Sequence, residues 1–297
     1  MAMTSSHWTR RDLLTRAAAL GAVAVGGPTA LAACSSTSTA GNALTKAQQA
    51  GTIKVGIAGE APYGFTDKTG KVTGEAPEVA RAVFKNLKIN NITATTVDFS
   101  SLIPALNAGQ FDMVCAGQAI TPTRCKQVAF SIPDYAASVA LLVPKGNPKK
   151  VTNFHDVITQ KVKLGYETGA VEQSFAQAAG VPSSQMQAFA TQDDLFSAVK
   201  TGRIYAAALT DISWRGVLAQ NPNAGVEMAP PFMHGAEPGG FTFRKNEGAL
   251  LEAFNRQLAK LHGNGQWVQI VKPFFFTAEN LPPASMTTAK LCAGKTS

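Results

Sequence analysis

The chain has 297 residues, enough for two modest domains that each bury a core. Charged residues are 15% of it and the formal net charge is +8; no run of Lys or Arg alternates with aromatics, which excludes a nucleic-acid-binding face. Four scattered histidines and four cysteines offer no zinc spacing and no Ser/His/Asp or Cys/His constellation, so no metal, cofactor or catalytic cluster is expected.

The N-terminal segment reads as an address. Thr9-Arg10-Arg11-Asp12-Leu13-Leu14 is a twin-arginine pattern, an apolar stretch rich in Ala, Gly and Val follows, and Leu31-Ala32-Ala33-Cys34 matches a bacterial lipoprotein cleavage box. On this reading residues 1–33 are a signal peptide, Cys34 carries lipid on its sulfur, and 34–49, rich in Ser, Thr, Ala and Gly, form a flexible tether. An ordinary signal peptide and an N-terminal membrane span are the other readings; the apolar stretch falls short of about 20 residues and is broken by Gly26-Gly27-Pro28. With Cys34 lipidated, Cys115, Cys125 and Cys292 remain in an oxidising compartment. Cys115 lies in an apolar strand as a small buried residue, whereas Cys125 at a helix start and Cys292 in a loose tail gain most from pairing, and that disulfide is expected.

Residues 52–58 read as a strand entering a core, followed by a turn, Gly59-Glu60-Ala61-Pro62-Tyr63-Gly64, whose side chains are free to face a ligand. Val79, Val83 and Leu87 mark a helical stripe over 75–87; 92–99 is a strand, 100–109 a capped helix and 113–117 a buried strand. This alternation predicts a parallel sheet with helices on its faces. Strands at 128–132 and 138–144 precede a break at Lys145-Gly146-Asn147-Pro148, and a second α/β set follows. Its strands are 162–166, 186–190, 204–209 and 226–232, and its helices 169–179, 192–200 and 211–218. After a second break at Pro238-Gly239-Gly240 come a strand at 241–243, a long amphipathic helix capped by Asn246, and a last helix at 265–271. The predicted fold class is α/β with two lobes: 50–143 and 238–297 build the first, 144–237 the second, and crossings near 143–147 and 236–240 act as hinges beside a cleft.

Thr121 can cap a free N–H and Pro122 at the first helical position loses no hydrogen bond, which puts Arg124 in the first turn of a helix. A cation there opposes the helix dipole at a cost of about 0.3–1 kcal/mol. Two readings stay open: a surface arginine paired with a neighbouring acid, or a guanidinium that joins the helix-start amides in holding a ligand's carboxylate.

Taken in order, Gly51-Thr52-Ile53-Lys54-Val55-Gly56-Ile57, Gly70-Lys71-Val72-Thr73-Gly74-Glu75-Ala76-Pro77-Glu78, Ser101-Leu102-Ile103-Pro104-Ala105-Leu106, Gly109-Gln110-Phe111-Asp112-Met113 and Thr121-Pro122-Thr123-Arg124 resemble the family 3 extracytoplasmic solute-binding proteins of ABC importers, over about residues 50–290. Glu60-Ala61-Pro62-Tyr63, Glu75-Ala76-Pro77-Glu78-Val79-Ala80, the stretch 121–130 and Gly169-Ala170-Val171-Glu172 are most similar to the ectoine/hydroxyectoine-binding branch. The resemblance implies a type II periplasmic-binding-protein-like fold, each lobe a mostly parallel sheet flanked by helices. It also implies a monomer lipid-anchored to the outer face of the bacterial cell membrane, an ABC permease as partner and a small zwitterionic solute as ligand.

In that frame Arg124, Thr121 and the helix-start amides hold the solute's carboxylate, and Glu60 accepts from its amidinium N–H groups. Tyr63 and Phe99 wall its ring, each cation–π contact contributing about 0.5–2 kcal/mol. Gly117 and Ala119 belong to the same strand end. From the second lobe Thr168, Gly169 and Ala170 offer amides and a hydroxyl to the carboxylate side, and Asp211 resembles the acid that takes an amino acid's ammonium. Simpler roles stand beside these: turn or core packing for Tyr63, Phe99 and Trp214, a solvated loop charge for Glu60, and a helix cap for Asp211, shared with Thr210. Ala119 departs from the branch, which has an aromatic third wall there. Another ring fills the gap, the ligand is bulkier, or affinity is lower. Binding with lobe closure is the expected function, with a polar or cationic amino acid as the alternative ligand. Dehydration of a cyclic carboxylic acid, with Glu60 or Glu172 as general acid, is the enzymatic alternative on this fold.

Overall fold

The computed structural model describes residues 43–295; the twin-arginine segment, the cleavage box and Cys34 lie outside them. The second part of the expected tether is helix α1 (Ala43–Ala50), which corrects the flexible reading of 34–49 for those residues. Its Ala, Leu, Lys and Gln are strong helix formers, Ala43 and Ala47 fall on one buried face, and the Ala43 N–H donates to Glu247 Oε2 at 3.0 Å. The Ser/Thr/Gly composition that suggests a tether stops before the helix starts.

The chain then runs through β1 (Thr52–Ile57), β2 (Phe65–Thr66), β3 (Val72–Thr73), α2 (Glu75–Lys85), β4 (Asn91–Thr96), α3 (Leu102–Asn107), β5 (Met113–Ala119), α4 (Pro122–Cys125), β6 (Ala129–Phe130) and β7 (Tyr135–Pro144). The second lobe adds α5 (Phe154–Thr159), β8 (Leu164–Glu167), α6 (Glu172–Ala178), β9 (Met186–Phe189), α7 (Gln192–Lys200), β10 (Ala206–Thr210), α8 (Asp211–Gln220) and β11 (Val226–Met228). Strand β12 (Phe232–Phe243) returns to the first lobe, which closes with α9 (Gly248–Gly263), α10 (Gln266–Val271) and α11 (Thr288–Cys292).

In the first lobe β4, β1 and β5 are parallel, and in the second β10, β8 and β9 are parallel. The antiparallel pair β7 and β12 joins the two sets into one ten-stranded sheet. Alternate side chains of each central strand feed cores on opposite faces: Met113 and Cys115 of β5 meet α2 and α9, whereas Val114 and Ala116 meet α3. Burying each large apolar side chain of this kind contributes about 1.5–3 kcal/mol, and these cores stabilise the frame under the cleft. Among the described residues no helix is long and apolar enough to cross a membrane.

The joint between the lobes is made of strand rather than loop. Tyr135 and Ala137 of β7 belong to the first lobe's core, and Val139 to Val143 to the two cores of the second. The side chains change lobe between Ala137 and Val139, upstream of the break at 145–148 that suggested a crossing at 143–147; that break is the turn after the strand. Pro238-Gly239-Gly240, read as a second break, lies within β12. Pro238 gives up no needed donor and its carbonyl accepts from the Ile120 N–H at 2.8 Å. Gly239 is required by close approach, since a Cβ there would fall 2.2 Å from the Tyr135 ring. Register shifts on either side mark where the strand bends between lobes. Asn246 does not cap α9; Glu247 holds that position.

Candidate functional site

The carboxyl ends of β1, β5, β8 and β10 meet where the lobes face each other, the usual place for a ligand in such sheets. There a cavity of about 30 Å³ is lined by Glu60, Tyr63, Phe99, Gly117, Ala119 and Arg124 from the first lobe, and Glu167, Ala170, Glu172, Thr210 and Ser213 from the second. Glu237 of the joining strand completes it.

Arg124 is 8% exposed. Thr121 caps its turn, the hydroxyl accepting from the Arg124 N–H at 3.2 Å. The guanidinium leaves the surface because Phe99 lies beneath it, with 5.4 Å from Cζ to the ring centroid. Nη1 donates to the Ala119 carbonyl and Nη2 to that of Gly169 across the cleft, both at 2.8 Å. Those two bonds use part of the five-donor fork. Among the described residues no ion pair includes Arg124. Burial pushes its proton affinity down, and Glu172 nearby opposes that.

The second group across the cavity is carboxylic. Glu60, held in a turn by the Gly59 N–H to Gly64 carbonyl bond of 3.0 Å, lines the cavity together with Glu167 at the end of β8, and the two carboxyl groups perturb each other. Glu172, in the first turn of α6, is coupled in the same way to Glu237. Burial raises Glu60 to about 7 and Glu167 to about 11, with each acting on the other. Glu172 is raised to about 7 by burial, and Glu237 well above the usual carboxylate range by burial and by Glu172. Two buried carboxyl groups in contact cannot both ionise, so each pair holds a proton.

Tyr63 packs edge-on against Phe276 and tilted on Tyr135, and its hydroxyl lies 3.0 Å from the Thr210 Oγ1 across the cleft. Gly117 makes room for it: its φ is +61°, and a Cβ would fall 2.3 Å from the Tyr63 ring. Ala119 leaves its methyl in the cavity wall. Thr121 and Gly169 line the neighbouring cleft of about 500 Å³ instead. Thr168 turns away, N–H and hydroxyl both donating to the Phe189 carbonyl. Asp211 also turns away; its carboxylate accepts from the Ser138 N–H at 3.2 Å and pairs with Arg215 at 3.4 Å, while Thr210 rather than Asp211 caps α8. Trp214 is buried in the second lobe and donates to the Ala140 carbonyl. Cys125 and Cys292 are disulfide-bonded, tying the Arg124 turn to α11, and Cys115 is a buried thiol.

Residue-by-residue reading missed Glu167, Glu237, Thr210 and Ser213 as cavity residues, and raised Glu172 only as an enzymatic acid. The signal for Glu167 and Thr210 was available, since each ends an apolar strand of a parallel set.

Two lobes joined by paired strands around a polar cavity define a solute-binding protein of the type II periplasmic fold. The sequence pattern of the bacterial extracellular solute-binding proteins, family 3, matches residues 53–277, and the chain belongs to that family. A probable amino-acid ABC transporter periplasmic-binding protein of Sinorhizobium fredii is 35% identical over 262 residues, covering 84% of this chain and 86% of the relative. The crystal structure of EhuB in complex with hydroxyectoine superposes with a TM-score of 0.77 at 32% identity, covering 86% of this chain and 99% of that one. An ancestral arginine-binding protein bound to glutamine superposes with a TM-score of 0.69 at 33% identity, covering 76% and 98%.

Proposed function

We propose that this chain captures a small zwitterionic solute outside the cytoplasm and delivers it unchanged to an ABC permease, as a monomer tethered through lipid on Cys34. The observation that carries the reading is Arg124: a buried guanidinium that lines the cavity, reaches both lobes and makes no direct ion pair with a carboxylate among the described residues. A solute's carboxylate supplies that counterion and draws the lobes together, since charge-assisted bonds in a dry cleft are stronger than those to two carbonyls. Glu60 takes the solute's cationic side, and Tyr63 and Phe99 bound its apolar body.

An ectoine-like solute is the first candidate, in line with the hydroxyectoine held by the EhuB structure. A cationic amino acid is the second, favoured by the excess of cavity glutamates over the single arginine. Thermal melting against ectoine, hydroxyectoine, L-arginine and L-glutamine tests the reading. The binder raises the midpoint in proportion to RT ln(1 + [L]/Kd) and is recovered intact. Conversion of the compound overturns the non-enzymatic part; a shift that survives Arg124→Ala overturns the carboxylate assignment.

A further inference from the structure

The two carboxyl pairs do more than add negative charge. Glu60 and Glu167 come from opposite lobes, and Glu172 comes from the second lobe while Glu237 sits on the strand that joins them. All four carboxyl groups converge on the one cavity between the lobes. Glu237 is 4% exposed, lines the cavity and leaves Oε1 without a hydrogen-bond partner. A buried oxygen of that kind costs about 1–3 kcal/mol until a donor reaches it.

Resting on the zwitterion reading above, we propose that Glu167 and Glu237 are solute-selecting residues: together with Glu60 and Glu172 they receive the N–H groups of a delocalised amidinium or guanidinium. A planar cation of this class presents N–H donors on more than one side, so it can serve both pairs at once, with Arg124 taking the carboxylate at the other end. A lone ammonium has donors but no such spread. The charges around the pairs agree. Asp193 on α7 acts electrostatically on Glu60, Asp98 on Glu167, Arg124 on Glu172 and Glu237, and Asp211, itself paired to Arg215, on Glu237. Apart from Arg124, the near charges are negative and favour a cationic solute over a neutral one. A carboxyl group that ionises to accept from the cation passes its proton to the buffer, and the raised proton affinity of all four groups makes that release measurable near neutral pH.

The test is calorimetric titration of the mature chain with ectoine, L-arginine and L-glutamine at pH 7, in two buffers of different ionisation heat. Ectoine or L-arginine is expected to bind at least about 10-fold more tightly than L-glutamine, with net proton release. Glu167→Gln and Glu237→Gln should each cut that preference at least about 5-fold and lower the number of protons released, because a glutamine has no proton to give up. Unchanged preference and proton count in both variants overturn the proposal. Equal binding of L-glutamine and the cationic probes, abolished by Arg124→Ala, also overturns it while leaving the carboxylate reading intact. Failure of all three probes to bind the parent chain sinks both. Circular dichroism of each variant, matched to the parent, separates lost selectivity from lost folding.

Discussion

Carboxyl groups are buried against one another in two regions, and the regions differ in what surrounds them. In the first lobe's core Glu75, fully buried at the start of α2, meets Asp134, which accepts from Trp267 Nε1 at 2.8 Å and from His262 Nε2 at 3.1 Å. In the cleft Glu60 meets Glu167, and Glu172 meets Glu237. Burial and a like neighbour raise the proton affinity of Glu75 just as they do in the cleft. A raised proton affinity therefore does not separate a site from a scaffold. Position does: the core pair is built within one lobe, beside Cys115 and Tyr135 and away from the cavity. The cleft pairs line the cavity between the lobes, where a solute can meet them.

The sharpest way to break this contrast is Arg124→Ala, which removes the cation beside Glu172 and Glu237 and leaves the core pair untouched. Truncating one partner of a buried charge pair costs about 2–5 kcal/mol, so solute affinity should fall by roughly 100-fold or more, measured by titration with whichever solute the melting panel identifies. A loss below about 3-fold would mean that the solute's carboxylate rests elsewhere. The next effect belongs to the scaffold. Cys125 and Cys292 are 167 residues apart in sequence, and replacing both by serine should lower stability by about 2–4 kcal/mol in urea denaturation. Affinity should change far less than stability, because the disulfide anchors the Arg124 turn from behind rather than lining the cavity.

Why the core region was legible and the cleft less so follows from range. The β-α alternation, the stripe of Val79 and Val83, and Thr121-Pro122 ahead of Arg124 are local signals, and each matches an element of the fold. Glu237 was hidden by Pro238-Gly239-Gly240, which reads as a break until pairing with β5 and β7 and the Tyr135 ring explain the missing side chains. Glu167 reads as an ordinary charged strand end, because Glu60, which shares its cavity, comes from a distant part of the sequence. The helix at α1 was missed for a different reason: Ala43 and Ala47 need a partner surface, which α9 and β1 supply from afar.

Glu75→Gln sharpens the contrast from the core side. Burial lifts the folded-state value of Glu75 well above its usual 4.5. Above about pH 4.5 the unfolded chain gives up this proton while the folded chain keeps it, so the parent loses stability as pH rises, by up to about 1.4 kcal/mol per pH unit from this group. The glutamine variant has no such proton. Urea denaturation at pH 5 and pH 7 should show the variant gaining on the parent at the higher pH, with solute affinity unmoved. A pH-independent difference would mean that Glu75 is ionised in the fold.

The smallest effect probes closure itself. Tyr63→Phe deletes one hydroxyl from the pair that spans the cleft to Thr210, and little else changes: the ring still packs on Tyr135 and Phe276, and Thr210 keeps its bonds to Ser213. A hydrogen bond of this kind contributes about 0.5–1.5 kcal/mol, so affinity should fall about 5-fold while the unliganded melting temperature stays nearly constant. An equal loss in both measurements would assign the tyrosine hydroxyl to the scaffold alongside Glu75. A loss confined to affinity would assign it, with the cleft glutamates, to the set of contacts that closure makes and opening breaks.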